Sequence, residues 1–65
     1  MNKLMEKYKH SANGIIRAIK VHPQMNIEKS KSNYWFKLDQ DNRLSTNDKT
    51  KLYQYLLNQI YINIY

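Results

Sequence analysis

Apolar side chains recur in three different rhythms along this chain of 65 residues. Through residues 3–21 they return at three- and four-residue steps: Leu4, Tyr8, Ala12, Ile15 and Ile19, with Met5 and Ile16 widening the stripe. That is the period of an amphipathic helix. Lys9, His10, Asn13, Arg17 and Lys20 fall on the opposite face, with Glu6 as its one acid. Gly14 also falls there, where it costs up to about 1 kcal/mol relative to Ala. It marks either a kink at Asn13-Gly14 or a place where a partner approaches closely. Pro23 ends the helix, because the residue before a proline is pushed out of the helical region.

After Pro23 the period drops to two. Met25 and Ile27 alternate with Asn26 and Glu28, and Tyr34, Phe36 and Leu38 alternate with Trp35 and Lys37. Alternation with aromatic enrichment predicts strands. Lys29-Ser30-Lys31-Ser32-Asn33 is polar and turn-like, so the pattern predicts a β-hairpin over about 24–29 and 33–38. Tyr34, Phe36 and Leu38 then face the helices and Trp35 is left outside. Pro23 can equally open a short helix, which would make the middle of the chain helical.

Asp39 to Arg43 is a turn by composition. Ser45, followed three residues later by Asp48, has the form of a capping box with a shorter acid than the usual Glu, and predicts a second helix running to about 61 or beyond. Its end, LYQYLLNQIYINIY from Leu52 to Tyr65, has no charged side chain and no Gly or Pro. Leu52, Tyr53, Leu56, Leu57, Ile60, Tyr61 and Ile64 cover one wide arc, which predicts core. Tyr55 and Ile62 lie outside it as a second, smaller apolar strip. Residues 61–65 also alternate, so a short terminal strand is the other reading of the tail. The expected fold is α+β, a two-layer single domain of helix, β-hairpin and helix over residues 1–65; the alternative is all-α with a short middle helix.

A chain this short holds one core worth only about 3–5 kcal/mol, so small domains commonly add disulfides, a metal or oligomerisation. Cysteine is absent, which removes disulfides and thiolate metal sites. Two histidines are too few for a structural zinc site without carboxylates. Oligomerisation through the C-terminal helix, or docking on a partner, is the expected reinforcement. The opening MNKLMEKYKH is charged where a signal peptide needs an apolar core, and no run is long enough to span a membrane. Those features predict a soluble cytoplasmic protein. Lys, Asn, Ile and Tyr are all favoured by AT-rich codons, and a small reading frame of this composition fits a phage or other mobile element.

The net charge of +6 is not evenly spread. Residues 1–37 hold eight basic side chains and two acidic ones, while residues 38–65 hold three of each, so the excess belongs to the first half. Lys9, His10, Asn13, Arg17 and Lys20 on the first helix, with Lys29, Lys31 and Lys37 on or beside the expected hairpin, form the candidate nucleic-acid face. A localised positive surface attracts polyanions, and phosphate contacts make such binding salt-dependent. Arg is scarce and no helix-turn-helix, zinc-finger or basic-zipper signature is present, so contact would be to phosphates with weak sequence preference. The competing account is an inhibitor or adaptor that grips a protein through Tyr34, Trp35, Tyr55 and Ile62, since Tyr and Trp are enriched at interfaces.

Catalytic and metal chemistry find little foothold. Asp39, Asp41 and Asn42 start like a calcium loop, but Arg43 and Leu44 stand where a ligand and the turn glycine belong, and Thr50 replaces the closing Glu. One glycine rules out a Gly-rich phosphate loop. His10 and His22 are the only imidazoles, with no third group to orient either. The expectation is a non-enzymatic protein without a cofactor or small-molecule substrate, acting stoichiometrically on nucleic acid or nucleic-acid-handling machinery.

Overall fold

Three helices build the domain. The computed structural model describes residues 3–65, with α1 at Lys3–Val21, α2 at Ile27–Gln40 and α3 at Thr46–Asn63. The all-α architecture overturns the α+β expectation: among the described residues there is no strand, and the segments read as a hairpin fall in the α1–α2 turn and in α2.

The physical reason lies in a second periodicity within the same residues. Ile27, Lys31, Tyr34 and Leu38 are spaced at four, three and four, which places all of them on the inner side of one helix. Tyr34 and Leu38 are fully buried, and Ile27 packs against them. Lys31 joins the stripe because its aliphatic stem lies along the core while its ammonium pairs with Glu28 at 2.9 Å. Asn26 caps α2, its side-chain oxygen accepting from the Lys29 N–H at 3.1 Å. Ser30, expected in a turn, instead donates its hydroxyl to the Asn26 carbonyl from within the first helical turn. Phe36, expected in the core, is turned outward and exposed.

α1 and α3 follow the pattern more closely. Tyr8, Ala12, Ile16 and Ile19 are the buried residues of α1, and Leu52, Leu56 and Ile60 those of α3. Ser45 caps α3, accepting from the Asp48 N–H at 3.1 Å. The tail is helical to Asn63, so the terminal-strand reading fails, and Tyr61, expected in the core, is exposed. α1 continues unbroken through Gly14.

The helices run up, down and up. Asn13 meets Tyr55 and Lys20 meets Asn63, which sets α3 parallel to α1. Trp35 meets Tyr53 and Asp39 meets Lys49, which sets α2 antiparallel to α3. Packing is most extensive between α1 and α3 and sparsest between α1 and α2. Leu44, buried in the α2–α3 connection, closes the core at that end. The open seam between α1 and α2 ends in a mouth lined by Lys7, Lys37 and Arg43.

Candidate polyanion-binding groove

A helix rotates 100° per residue, so Lys7, Ser11, Gly14 and Ala18 share the flank of α1 that faces α2. On α2 the matching flank carries Ser30, Asn33 and Lys37. Between them lies an open groove. Its wider part, about 730 Å³, is lined by Lys7, Tyr8, Ser11, Lys37 and the segment Gln40–Arg43. A narrower part of about 380 Å³ continues along the seam past Gly14, Ala18, Ser30 and Asn33, sharing Ser11 and Lys37 with the first. The small side chains of Ser11, Gly14 and Ala18 leave the seam unfilled there. A Cβ built on Gly14 would meet no atom within 4 Å.

Asp41 organises the wider end. Its side chain is only 7% exposed and takes the Arg43 guanidinium on both oxygens, Nε to Oδ1 at 2.9 Å and Nη2 to Oδ2 at 2.8 Å. The Arg43 N–H donates to Oδ1 at 3.0 Å, and the Tyr8 hydroxyl donates to Oδ2 at 2.7 Å. Arg43 holds the carboxyl far below the usual carboxylate range, with the Tyr8 hydroxyl as the second cause. Burial first, then the bond to Asp41, raises the Tyr8 phenol above its ordinary value. Asp41 in turn raises Arg43.

The carboxylate is therefore occupied from within, and what it presents outward is a fixed guanidinium. Two of the five Arg43 N–H donors serve Asp41, and the rest are free to meet an anion in the planar fork that suits phosphate. Lys7 and Lys37 flank the same opening on α1 and α2. With Asp41 counted, the mouth keeps an excess of two positive charges.

The residues singled out from the sequence divide into groups. Lys37 lines the groove. His10 and Arg17 are exposed on α1 and Lys29 on α2, all three outside the groove lining. Lys9, Asn13 and Lys20 do not belong to it: they lie along α3. The Lys9 ammonium sits 5.8 Å from the Tyr55 ring centroid, Asn13 accepts from the Tyr55 hydroxyl at 2.8 Å, and Lys20 donates to Asn63 at 3.1 Å. Lys31 is turned toward α3, and its bond with Glu28 raises its pKa. Lys7 and Arg43 were missed. Lys7 stands one helical turn before Ser11, which a helical-wheel count reveals; Arg43 carries no such signal, because its placement depends on Asp41 and Tyr8.

The four partner-binding aromatics and aliphatics are not brought together. Tyr34 is a core residue, contrary to the surface role read from the sequence. Its hydroxyl donates to the Tyr8 carbonyl at 2.8 Å, and burial raises its pKa. Trp35 is 39% exposed and meets Tyr53 edge-on, 5.3 Å between centroids at 71°. Tyr55 lies in the α1–α3 seam. Ile62 is exposed at the end of α3, beside Tyr61 and Tyr65.

Among the described residues no cluster of three His, Cys, Asp or Glu side chains comes together to hold a metal. No described helix is long and apolar enough to cross a membrane. Comparison with protein families, with curated proteins and with solved structures finds no match for this chain.

Proposed function

We propose that this chain is a non-enzymatic nucleic-acid-binding protein that takes the phosphate backbone into the α1–α2 groove. One observation carries this: Lys7, Lys37 and Arg43, from three different segments, converge on one opening, and Arg43 is held there by Asp41. A fixed guanidinium loses little rotamer freedom on meeting a phosphate, so more of the contact reaches affinity. Arg17 and Lys29, exposed outside the groove, add long-range attraction. The proposed mode of action is occupancy rather than turnover.

A titration of labelled oligonucleotide across a range of salt concentrations tests this. Three phosphate contacts give a log–log slope of roughly −2 for a single strand. Absence of binding at low salt overturns the proposal.

A second mode, self-association or capture of a protein, has its own support at the C-terminal end of α3. Tyr61, Ile62 and Tyr65 are exposed together there on a segment without charge. Two copies of a chain with net charge +6 can meet on that surface without opposing charges. Sedimentation of the wild type and of Ile62→Asp decides it: a dimer that the substitution dissociates supports self-association, and a wild-type monomer at high concentration removes it.

A further inference from the structure

Phe36 is the one large apolar side chain exposed on the outer side of α2, at 61% exposure. Single exposed apolar residues are common on protein surfaces, so exposure alone decides nothing. Position does. Asn33, Phe36, Lys37 and Gln40 follow the spacing i, i+3, i+4, i+7 and share one helix face. Asn33, Lys37 and Gln40 line the groove, and Phe36 shares their helix face just outside that lining.

We infer that Phe36 is a base-stacking platform, and that the ligand of the groove is nucleic acid with unpaired bases. The inference rests on the groove binding phosphate as proposed above. Side chains three or four positions apart on a helix stand about 5–6 Å apart at Cβ, so Asn33 and Gln40, which line the groove, are the near neighbours of Phe36, at the scale separating a nucleotide's phosphate from its base. With phosphate held at the groove mouth beside Gln40, the attached base falls on the neighbouring ring. The amides of Asn33 and Gln40, both exposed, flank that ring with donors and acceptors for a base edge. A duplex offers no free base face, so its phosphates can enter the groove but its bases cannot reach Phe36. Trp35 and Tyr34, the aromatics of the same segment, cannot serve: Tyr34 is buried, and Trp35 is turned toward α3 against Tyr53.

The test measures anisotropy of a labelled single strand and of a hairpin duplex of equal length with the wild type, Phe36→Ala, Phe36→Trp and Lys7→Glu/Lys37→Glu. Phe36→Ala is expected to weaken single-strand binding about tenfold and leave duplex binding unchanged, while Phe36→Trp retains single-strand affinity. Thermal unfolding of Phe36→Ala stays at the wild-type midpoint, because the ring is outside the core. Unchanged single-strand affinity in Phe36→Ala, or an equal loss on both ligands, overturns the stacking role while loss of binding in the Lys double variant keeps the groove. Failure of the wild type to bind either ligand overturns both.

Discussion

The Tyr34 hydroxyl on α2 donates to the Tyr8 backbone carbonyl on α1 at 2.8 Å, across the seam where those helices pack most sparsely. The Tyr8 hydroxyl then continues to Asp41 at 2.7 Å in the α2–α3 connection. This chain of two bonds ties all three parts of the groove together. Tyr34→Phe removes the first while keeping the ring in place. It is expected to cost about 1 kcal/mol, read as a lower denaturant midpoint with unchanged slope. An unchanged midpoint would mean that the bond contributes nothing to holding α2 on α1.

The same two phenols make the fold sensitive to alkali. Both are raised above their ordinary value near 10, with burial as the first cause. In the unfolded chain they lose their protons near pH 10; in the folded one they keep them longer. Between those points the unfolded state binds fewer protons, so stability falls as pH rises. Unfolding midpoints across pH 8.5 to about 11 are expected to drop from about pH 10 upward, and Tyr34→Phe is expected to drop less steeply. Parallel curves for the two proteins would contradict the role of Tyr34.

Asp41 sets the acid limit. Its folded pKa is depressed by Arg43 first and Tyr8 second, so its stabilising effect is complete above the unfolded value near 4 and is lost as pH falls below it. Asp41→Asn removes that dependence. Its acid-unfolding curve is expected to be shallower than the wild type's below pH 4, and the two should differ most above it.

Gly14→Ala is expected to stabilise by up to about 1 kcal/mol, since the added Cβ meets nothing within 4 Å and helix propensity favours Ala. The position borders the narrow part of the groove. A higher Tm with oligonucleotide affinity unchanged is the expected pair of results. A higher Tm with weakened binding would show that the ligand approaches the α1 backbone at Gly14.

Trp35→Ala distinguishes a packing residue from an anchor. Loss of the edge-on pair with Tyr53 and of the shielded part of the indole is expected to cost about 1–2 kcal/mol. Oligonucleotide binding, measured where the variant is fully folded, is expected to survive. Lost binding at unchanged stability would return Trp35 to the surface role that its sequence position first suggested.

Two of the three helices are legible in the sequence, and α1 is legible to its ends. Its stripe is unbroken, and Pro23 stands just past its last turn. α3 announces its start through Ser45. α2 is not legible because Lys31 occupies one of its four inner positions. A charge there hides the helical period, while Tyr34, Trp35 and Phe36 in succession mimic a strand. Only packing reveals that the lysine stem is apolar enough to share the stripe. The groove is half legible for a related reason. Counting charge by segment finds the basic half of the chain, but grouping by face requires α2 to be a helix. Once it is one, Lys37 joins Lys7 and Arg43, while Lys9, Lys20 and Lys31 turn toward α3.

That regrouping makes the decisive measurement a comparison of two charge reversals in one salt titration. Lys7→Glu/Lys37→Glu alters the groove, and Lys9→Glu/Lys20→Glu alters the α3 flank by the same net charge. Phosphate binding in the groove predicts that the first pair lowers single-strand affinity at least tenfold more than the second and flattens the salt slope by more than one unit. Equal losses would mean that net charge alone attracts the ligand. A greater loss from the flank pair would place the binding face along α3 and contradict the groove.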